Sequence, residues 1–164
     1  MKVKFKKLHE GAKLPKKATA GSAAYDLVTP EDTILKQGRA IIPLGFAMEM
    51  EQGYEALIDA RSGFSSKGME GYKVSWFSAS GLDPVVCKVA ERFDCDVIEG
   101  KIDSDYRDGV GVIVINRGCD FLVKAGTRIA QMTFHKVEDV DWEMAEELSE
   151  TDRKGGFGHS GTRV

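Results

Sequence analysis

The chain has 164 residues, of which 26 are acidic and 23 are lysine or arginine, giving a net charge of −3. Its length is typical of a single domain. The acidic balance argues against a nucleic-acid-binding protein, because phosphate contacts require a basic surface. No apolar run approaches the ~18 residues of a membrane span, and the first residues lack the apolar core of a signal peptide. We therefore expect a cytoplasmic protein without membrane contact.

Short β-branched runs separated by glycine-containing turns predict an all-β fold, a barrel or jelly roll with few long helices. Turns are predicted at Gln37-Gly38, Gln52-Gly53 and Ala125-Gly126, among others. Cys87, Cys95 and Cys119 are odd in number and lack zinc-ligand spacing, so we interpret them as reduced thiols that mainly pack. The predicted strands cover residues 2–8, 22–28, 34–36, 39–50, 54–60, 110–117, 121–123 and 127–136.

Residues 61–68, which follow the predicted strand 54–60, combine Arg61, Lys67, two glycines and three serines. Such a turn offers backbone N–H groups, hydroxyls and a guanidinium to phosphate oxygens. Isolated glycine- and serine-rich loops are weak signals, so this turn alone does not establish a phosphate site.

The segment of residues 69–98 departs from the β pattern. Asp83 can cap a helix and Pro84 can occupy its first turn, while Val85, Val89 and Phe93 recur at helical spacing. The sequence therefore predicts a short helix within 84–93.

Residues 100–110 place Asp103, Asp105, Tyr106 and Arg107 immediately before a buried strand, which would hold them rigidly. Asp103 is the candidate general base, able to remove a proton from water once cations neutralise a bound phosphate. Tyr106 could stack on a sugar ring. The alternative is that the aspartates are ordinary turn residues.

Residues 137–152 form an acidic stretch that we interpret as a solvated connector. The tail from Arg153 combines cations and glycines with one aromatic residue, Phe157. Dense glycine cannot pack a core, but a flexible arm whose aromatic ring stacks on a bound base would explain the composition.

Five segments, in order along the chain, resemble the motifs of trimeric deoxyuridine triphosphate nucleotidohydrolases, the dUTPases. The first is Ala-Gly-Ser-Ala-Ala-Tyr-Asp-Leu at 20–27, and the second is the turn at 61–68. The third is Gly-Lys-Ile-Asp-Ser-Asp-Tyr-Arg at 100–107. The fourth is Gly-Thr-Arg-Ile-Ala-Gln-Met at 126–132, and the fifth is Arg-Lys-Gly-Gly-Phe-Gly-His-Ser-Gly at 153–161.

The resemblance implies an all-β, jelly-roll-like subunit with a short helix-containing insertion at about 69–98. A β domain at 1–152 would be followed by a flexible arm at 153–164, and subunits would form a homotrimer with shared active sites. The reaction would convert dUTP to dUMP and pyrophosphate, with Asp103 activating the water that attacks the α-phosphorus. Mg2+ would be held by the substrate phosphates and waters, near Asp26 but without a direct protein ligand.

The resemblance also implies roles for the other site residues. Tyr106 would stack under the deoxyribose and exclude a 2′-hydroxyl, and Arg128 would support the site structurally. Val97 replaces a residue that hydrogen-bonds the base in many relatives. The residues expected to bind substrate are Arg61, Ser62, Gly63, Gly100, Ile102, Tyr106, Gln131, Arg153, Phe157, Gly158 and Ser160.

Two alternatives remain open. A dCTP deaminase resembles a dUTPase in fold but needs a glutamate base near the position of Ile113, and residues 110–116 contain no acid. A regulatory module on the same scaffold could instead bind a protein partner through the insertion, with or without catalysis.

Overall fold

The structure is a computed structural model and describes residues 1–76 and 84–152. None of the helices in these ranges is long and apolar enough to cross a membrane. Strands dominate these ranges, with one short helix. The elements are β1 Lys4–Lys7, β2 Tyr25–Val28, β3 Thr33–Leu35, β4 Gly38–Pro43, β5 Phe46–Glu49, β6 Tyr54–Asp59, α1 Ser62–Lys67, β7 Met69–Ser75, β8 Val85–Phe93, β9 Cys95–Ile98, β10 Gly100–Ile102, β11 Gly111–Asn116, β12 Phe121–Val123 and β13 Arg128–Lys136.

The described strands form four antiparallel sheets, which confirms the predicted all-β class. Their orders are β1-β5, β10-β6-β13-β2, β4-β11-β9 and β3-β12-β7-β8. The predicted turn glycines Gly38, Gly53 and Gly126 all have positive φ angles, which suits residues without a Cβ. The single strand predicted at 39–50 is instead two strands, because the chain turns at Gly45, where φ is 72°.

The prediction of a helix within 84–93 is wrong. Residues 85–93 form β8, which pairs antiparallel with β7 from Ser75↔Val85 to Met69↔Phe93. Val85 and Val89 are 53% and 69% exposed, so the apolar positions do not form the buried face that a helix would need. Their β-branched side chains favour a strand instead. The proposed capping residue, Asp83, lies outside the described residues.

The sequence pattern also missed α1 and the strands β7, β9 and β10. Each has only three to seven residues, which is too short for hydrophobic periodicity to reveal reliably. α1 begins after Arg61, whose side chain forms no cap, and it buries Phe64.

The core joins the described sheets through large apolar side chains. The rings of Phe93 and Phe121 are stacked, with centroids 4.2 Å apart. The buried polar residues Thr29 and Asn116 both have hydrogen-bond partners, as burial requires. Cys95 is a buried free thiol, as predicted for a packing role, and burial raises its pKa to about 12. Cys119 is exposed instead.

A substitution at Gly68 tests how the insertion is attached to the β domain. It ends α1 with φ 76° and ψ 177°, a region almost restricted to glycine. A Cβ there would lie 2.3 Å from the carbonyl oxygen of Phe93. Gly68→Ala should therefore lower the free energy of unfolding by ~1 kcal/mol or more beyond the effect of Gly53→Ala, measured by urea denaturation at one protein concentration.

Gly53 is the matched control, since its φ is also positive, 83°, but a Cβ added at that position would meet nothing within 4 Å. Equal losses of stability in the two variants would show that the contact between Gly68 and Phe93 contributes nothing beyond backbone conformation.

Candidate functional site

The sheet β10-β6-β13-β2 carries or adjoins the first four motif segments. Asp26 lies in β2, Gln131 in β13, Asp59 at the end of β6, and Gly100 at the start of β10. The register places Gln131 directly between Asp26 and Asp59. Because opposed residues of an antiparallel sheet share a face, these three side chains form one polar row.

A β-bulge brings Arg128 to this same face. The pairing of β13 with β2 shifts between Arg128 and Ala130, so that Arg128 is opposite Val28 while Gln131 is opposite Asp26. Without the extra residue, positions 128 and 131 would point to opposite faces. The bulge therefore puts both side chains beside Asp26.

Asp26 is the electrostatic centre of this cluster. Its Oδ1 accepts a hydrogen bond from Nε of Arg61 at 2.7 Å, and its Oδ2 accepts one from Arg128 at 3.2 Å. The Asp26 carboxylate is only 16% exposed. Within the described residues, the terminal nitrogens of Arg61 make no hydrogen bond, so their donors remain available to an anion.

The start of α1 adds further donors next to Arg61. The carbonyl of Arg61 accepts hydrogen bonds from the N–H groups of Phe64 and Ser65, both at 2.9 Å. Ser62 and Gly63 lie exposed in the first turn, where backbone N–H groups have no acceptor within the helix. On the other side of the cluster, Nε2 of Gln131 donates to the carbonyl of Ala60 at 3.2 Å, which fixes the amide near Arg61.

Of this cluster, Arg61, Gly63 and Arg128 line a cationic cavity of about 430 Å³. It lies between α1, the ends of β7 and β8, and the turn before β13. Among the described residues, four cations and one acid line it, namely Arg61, Lys67, Arg92, Arg128 and Glu70. The arrangement is suited to binding a multiply charged anion.

A second cavity, of about 310 Å³, lies beside the hairpin that follows β10. Its walls are largely apolar and include Ile41, Ile98 and Ile113, which are cross-strand neighbours on β4, β9 and β11. Asp103 and Tyr106 also line it. A flat, weakly polar ligand would fit such walls.

Two hydrogen bonds to backbone carbonyls hold the hairpin itself. The N–H of Tyr106 donates to the carbonyl of Asp103 at 3.2 Å, and the Tyr106 hydroxyl donates to the carbonyl of Gly109 at 3.1 Å. Asp103 is exposed, and its carboxylate has no hydrogen bond or ion pair among the described residues. No described residue therefore competes for its oxygens.

Lys101 adds a positive charge close to Asp103 in the chain. Its ammonium group contacts both carboxylate oxygens of Glu55 at 2.7 Å. The hydrogen bond to Glu55 raises the pKa of Lys101, so this side chain stays charged at neutral pH.

The structure thus brings the predicted residues together in two groups. Asp26, Arg61, Ser62, Gly63, Arg128 and Gln131 form one cluster, while Gly100, Ile102, Asp103 and Tyr106 line the apolar cavity. No described residue lines both cavities. The predicted arm residues Arg153, Phe157, Gly158 and Ser160 lie outside the described residues.

Three residues near the site were missed by the sequence analysis. Asp59 has a buried Oδ1 without a hydrogen-bond partner in the described part of the chain. Glu70 and Arg92 line the cationic cavity from β7 and β8. Only Asp59 had a local signal, since it shortly precedes the second motif at the end of a predicted strand.

Comparison with known proteins gives a consistent family. A family model described as dUTPase matches residues 10–79 and 92–161. A deoxyuridine 5′-triphosphate nucleotidohydrolase from Orientia tsutsugamushi (strain Boryong) is 39% identical, with 99% of this chain and 100% of the relative covered. The corresponding protein of Chlamydia trachomatis serovar L2 is 37% identical, covering 96% of this chain and 97% of the relative.

Solved structures agree on the fold. A Staphylococcus bacteriophage 80alpha dUTPase variant, solved with dUpNHpp, superimposes with a TM-score of 0.77 at 21% identity, covering 98% of this chain and 99% of the other. A dUTPase variant from phage phi11 of S. aureus, described with a structural Mg(II) ion, gives 0.70 at 19% identity, covering 90% and 99%. The family match leaves residues 80–91 unmatched, and these residues lie within the predicted insertion at about 69–98.

Asp26→Asn should reveal how much the cluster depends on the carboxylate. The amide keeps the shape but removes the charge that both Arg61 and Arg128 contact. We expect a loss of ~1–3 kcal/mol in the free energy of unfolding, because two guanidinium groups lose their partly buried counter-charge. Thermal or urea denaturation measures it.

The control is Asp32→Asn, which alters a more exposed pair with Lys124. Exposed pairs typically contribute no more than about 1 kcal/mol. If the two substitutions cost the same, Asp26 has no special role in stabilising the cluster.

Proposed function

This chain belongs to the dUTPase family, and from that premise we propose that it hydrolyses dUTP to dUMP and pyrophosphate. The observation that carries the proposal is that one sheet, β10-β6-β13-β2, brings four family motifs side by side. β10 carries the start of the third motif, β6 leads into the second, β13 carries most of the fourth, and β2 carries the end of the first. Phosphoryl transfer mainly requires positioned donors and neutralised charge. The cluster around Asp26 supplies both.

In the proposed reaction, the Asp103 carboxylate accepts a proton from the water that attacks the α-phosphorus. The bond from that phosphorus to the bridging oxygen then breaks, and pyrophosphate leaves. Support comes from the exposed carboxylate, which has no competing partner among the described residues, and from the tight turn that fixes the Asp103 backbone. General-base catalysis of this kind typically contributes ~10²–10⁴-fold.

Arg61, Ser62, Gly63 and Gln131 are assigned to the phosphates. The free terminal nitrogens of Arg61 would donate to phosphate oxygens while Nε remains bound to Asp26. Arg128 contacts the other oxygen of Asp26. The carboxylate is therefore held from two sides, and its hydrogen bond with Arg61 orients the Arg61 guanidinium before substrate arrives. Preorganised donors of this kind need no rearrangement during the reaction.

The apolar cavity is assigned to uracil and deoxyribose. Main-chain groups of Gly100 and Ile102 would form the hydrogen bonds to uracil, since Val97 has no hydrogen-bonding side chain. Tyr106 would lie against the sugar, where its ring leaves no space for a 2′-hydroxyl. The hydrogen bond from Tyr106 to Gly109 holds the ring in place, which supports discrimination by steric exclusion.

Mg2+ fits this site as a partner of the triphosphate. As the family resemblance implies, the ion would be held by phosphate oxygens and waters. Asp26 lies close by, and the unpartnered Oδ1 of Asp59 could accept a hydrogen bond from one such water. Bound Mg2+ would neutralise negative charge on the triphosphate.

A homotrimer with shared active sites would unite the two cavities, which have no described lining residue in common. Residues 137–152 are exposed along their whole length. Trp142, Met144 and Leu148 are 92%, 98% and 89% exposed, which is unusual for large apolar side chains. A neighbouring subunit would cover them and receive the arm that carries Arg153, Phe157, Gly158 and Ser160 over its nucleotide.

Neither alternative function gains support. In β11, the position expected for a deaminase glutamate is Ile113, which is opposite Ile41 and Ile98 in an apolar wall. An acid–base step at the nucleobase therefore has no titratable group on this strand. Among the described residues, no contact favours a regulatory protein partner of the insertion.

Pyrophosphate release from dUTP, dCTP, dTTP and UTP, each with Mg2+, tests the proposed function. We expect rapid release from dUTP and little from the others, because the cavity is assigned to uracil and excludes a 2′-hydroxyl. Deamination of dCTP, or equal rates with dUTP and UTP, would refute the assignment.

Asp103→Asn should lower kcat by at least ~10²-fold, because an amide cannot accept the proton of the attacking water. Affinity for a non-hydrolysable dUTP analogue should remain, since the substitution keeps the shape of the turn. Asp105→Asn is the control, with near-normal turnover expected. Retained turnover in Asp103→Asn would exclude Asp103 as the base.

The same variant tests whether sites are shared. Asp103→Asn subunits contribute an intact arm, and subunits ending at residue 152 contribute an intact Asp103. Refolding the two inactive proteins together should restore part of the activity, because some sites then combine Asp103 from one chain with the arm of another. No recovery in verified mixed oligomers would contradict a shared site.

A further inference from the structure

The inserted strand β8 ends directly against the cationic cavity. Its last residue, Phe93, is buried against Phe121, and the Phe93 backbone packs against Gly68 at the end of α1. The residue before it, Arg92, lines the cavity together with Arg61 and Arg128. The insertion is therefore attached firmly at the place where it could affect a bound anion.

Arg92 is held in a defined position by two contacts. One terminal nitrogen donates to the carbonyl of Gly68 at 3.3 Å, and the other contacts Glu70 at 3.0 Å. The Arg92 side chain is still 50% exposed. Its guanidinium thus lies at the C-terminal end of α1, whereas Arg61 lies at the N-terminal end. The six residues of α1 separate these ends by roughly 9 Å, at 1.5 Å per residue.

The charge balance of the cavity leaves room for an anion near Arg92. Arg61 and Arg128 share the carboxylate of Asp26, and Arg92 has Glu70. Lys67 has no ion pair in the described part of the chain, yet it lines the same cavity. Counted over the described residues, four cations face two carboxylates, so a polyphosphate could be bound with its charge neutralised.

We propose that Arg92, which lies near the end of β8 and directly after the unmatched residues 80–91, binds the terminal phosphates of the nucleotide. The inference rests on the proposed function, because it takes the Arg61 end of the cavity as the site of the α-phosphate. Arg92 then extends phosphate recognition along α1, beyond the groups supplied by the family motifs. The contribution of Arg92 to nucleotide affinity should therefore be present for a triphosphate and absent for dUMP.

An ordinary structural role for Arg92 makes a different prediction. Glu70 and Arg92 are directly opposed in the pairing of β7 with β8. If stabilising this pairing were the whole contribution of Arg92, its removal would affect all ligands alike. Selectivity between dUMP and a triphosphate therefore separates the two roles.

The experiment compares wild type, Arg92→Ala and Arg92→Lys in the full-length protein. Equilibrium binding is measured for dUMP, dUDP and the non-hydrolysable analogue dUpNHpp, alongside KM and kcat for dUTP. Arg92→Ala should weaken analogue binding roughly tenfold, as expected for loss of a charge-assisted contact, and should leave dUMP affinity unchanged. Arg92→Lys should recover part of the difference.

Lys88→Ala is the matched control. Lys88 is an exposed cation on the same strand that does not line the cavity, so its removal should change neither affinity. Unchanged analogue binding in Arg92→Ala, or equal weakening of dUMP and analogue, would overturn the inference.

If Arg92→Ala does not fold, Glu70→Gln replaces it. This variant keeps the guanidinium and removes the one carboxylate that lines the cavity within the described ranges, so it should bind the analogue more tightly than wild type with dUMP affinity unchanged. The absence of that gain would overturn the inference. Failure of wild type to release pyrophosphate from dUTP would instead refute the proposed function itself.

Discussion

The hydrogen-bonded pairing of β13 with β2 on one side and β6 on the other is the constraint on which the site depends. That register places Asp26, Gln131 and Asp59 in one row, and the bulge before Ala130 adds Arg128. A slip of one residue would turn each of these side chains to the other face. The ion pairs of Asp26 with Arg61 and Arg128 depend on the same register, because it sets the face on which Asp26 lies.

The division of the site into two cavities has a physical cause. β10 lies at one edge of the sheet that aligns the motifs and leads into the Asp103 hairpin, whereas Asp26, which binds Arg61 and Arg128, lies on β2 at the opposite edge. Under the proposed function, each of the two cavities would be one half of an active site. The proposed homotrimer would bring the apolar cavity of one chain next to the cationic cavity of another, and the exposed apolar residues of 137–152 support this proposal.

The insertion is more than a surface loop in this structure. Its strand β8 pairs with β7, and its end is buried through Phe93 against Phe121. Gly68, which ends the helix after Arg61, cannot accommodate a side chain beside that strand. The turn at 61–68 and the insertion consequently share a rigid boundary, which is why a cation at position 92 faces the same cavity as Arg61.

The sequence by itself determined the β class, the glycine turns at 38, 53 and 126, and the motif residues, because local backbone preference and residue chemistry are written in short segments. It did not determine the conformation of residues 85–93, since valines spaced for a helix also suit a strand, and pairing with β7 decided between them. Only the tertiary structure decided that Asp26 contacts Arg61 and Arg128, and that Asp59 and Arg92 lie near them. These contacts join residues far apart in the chain, and their geometry follows from strand register and the bulge rather than from local sequence.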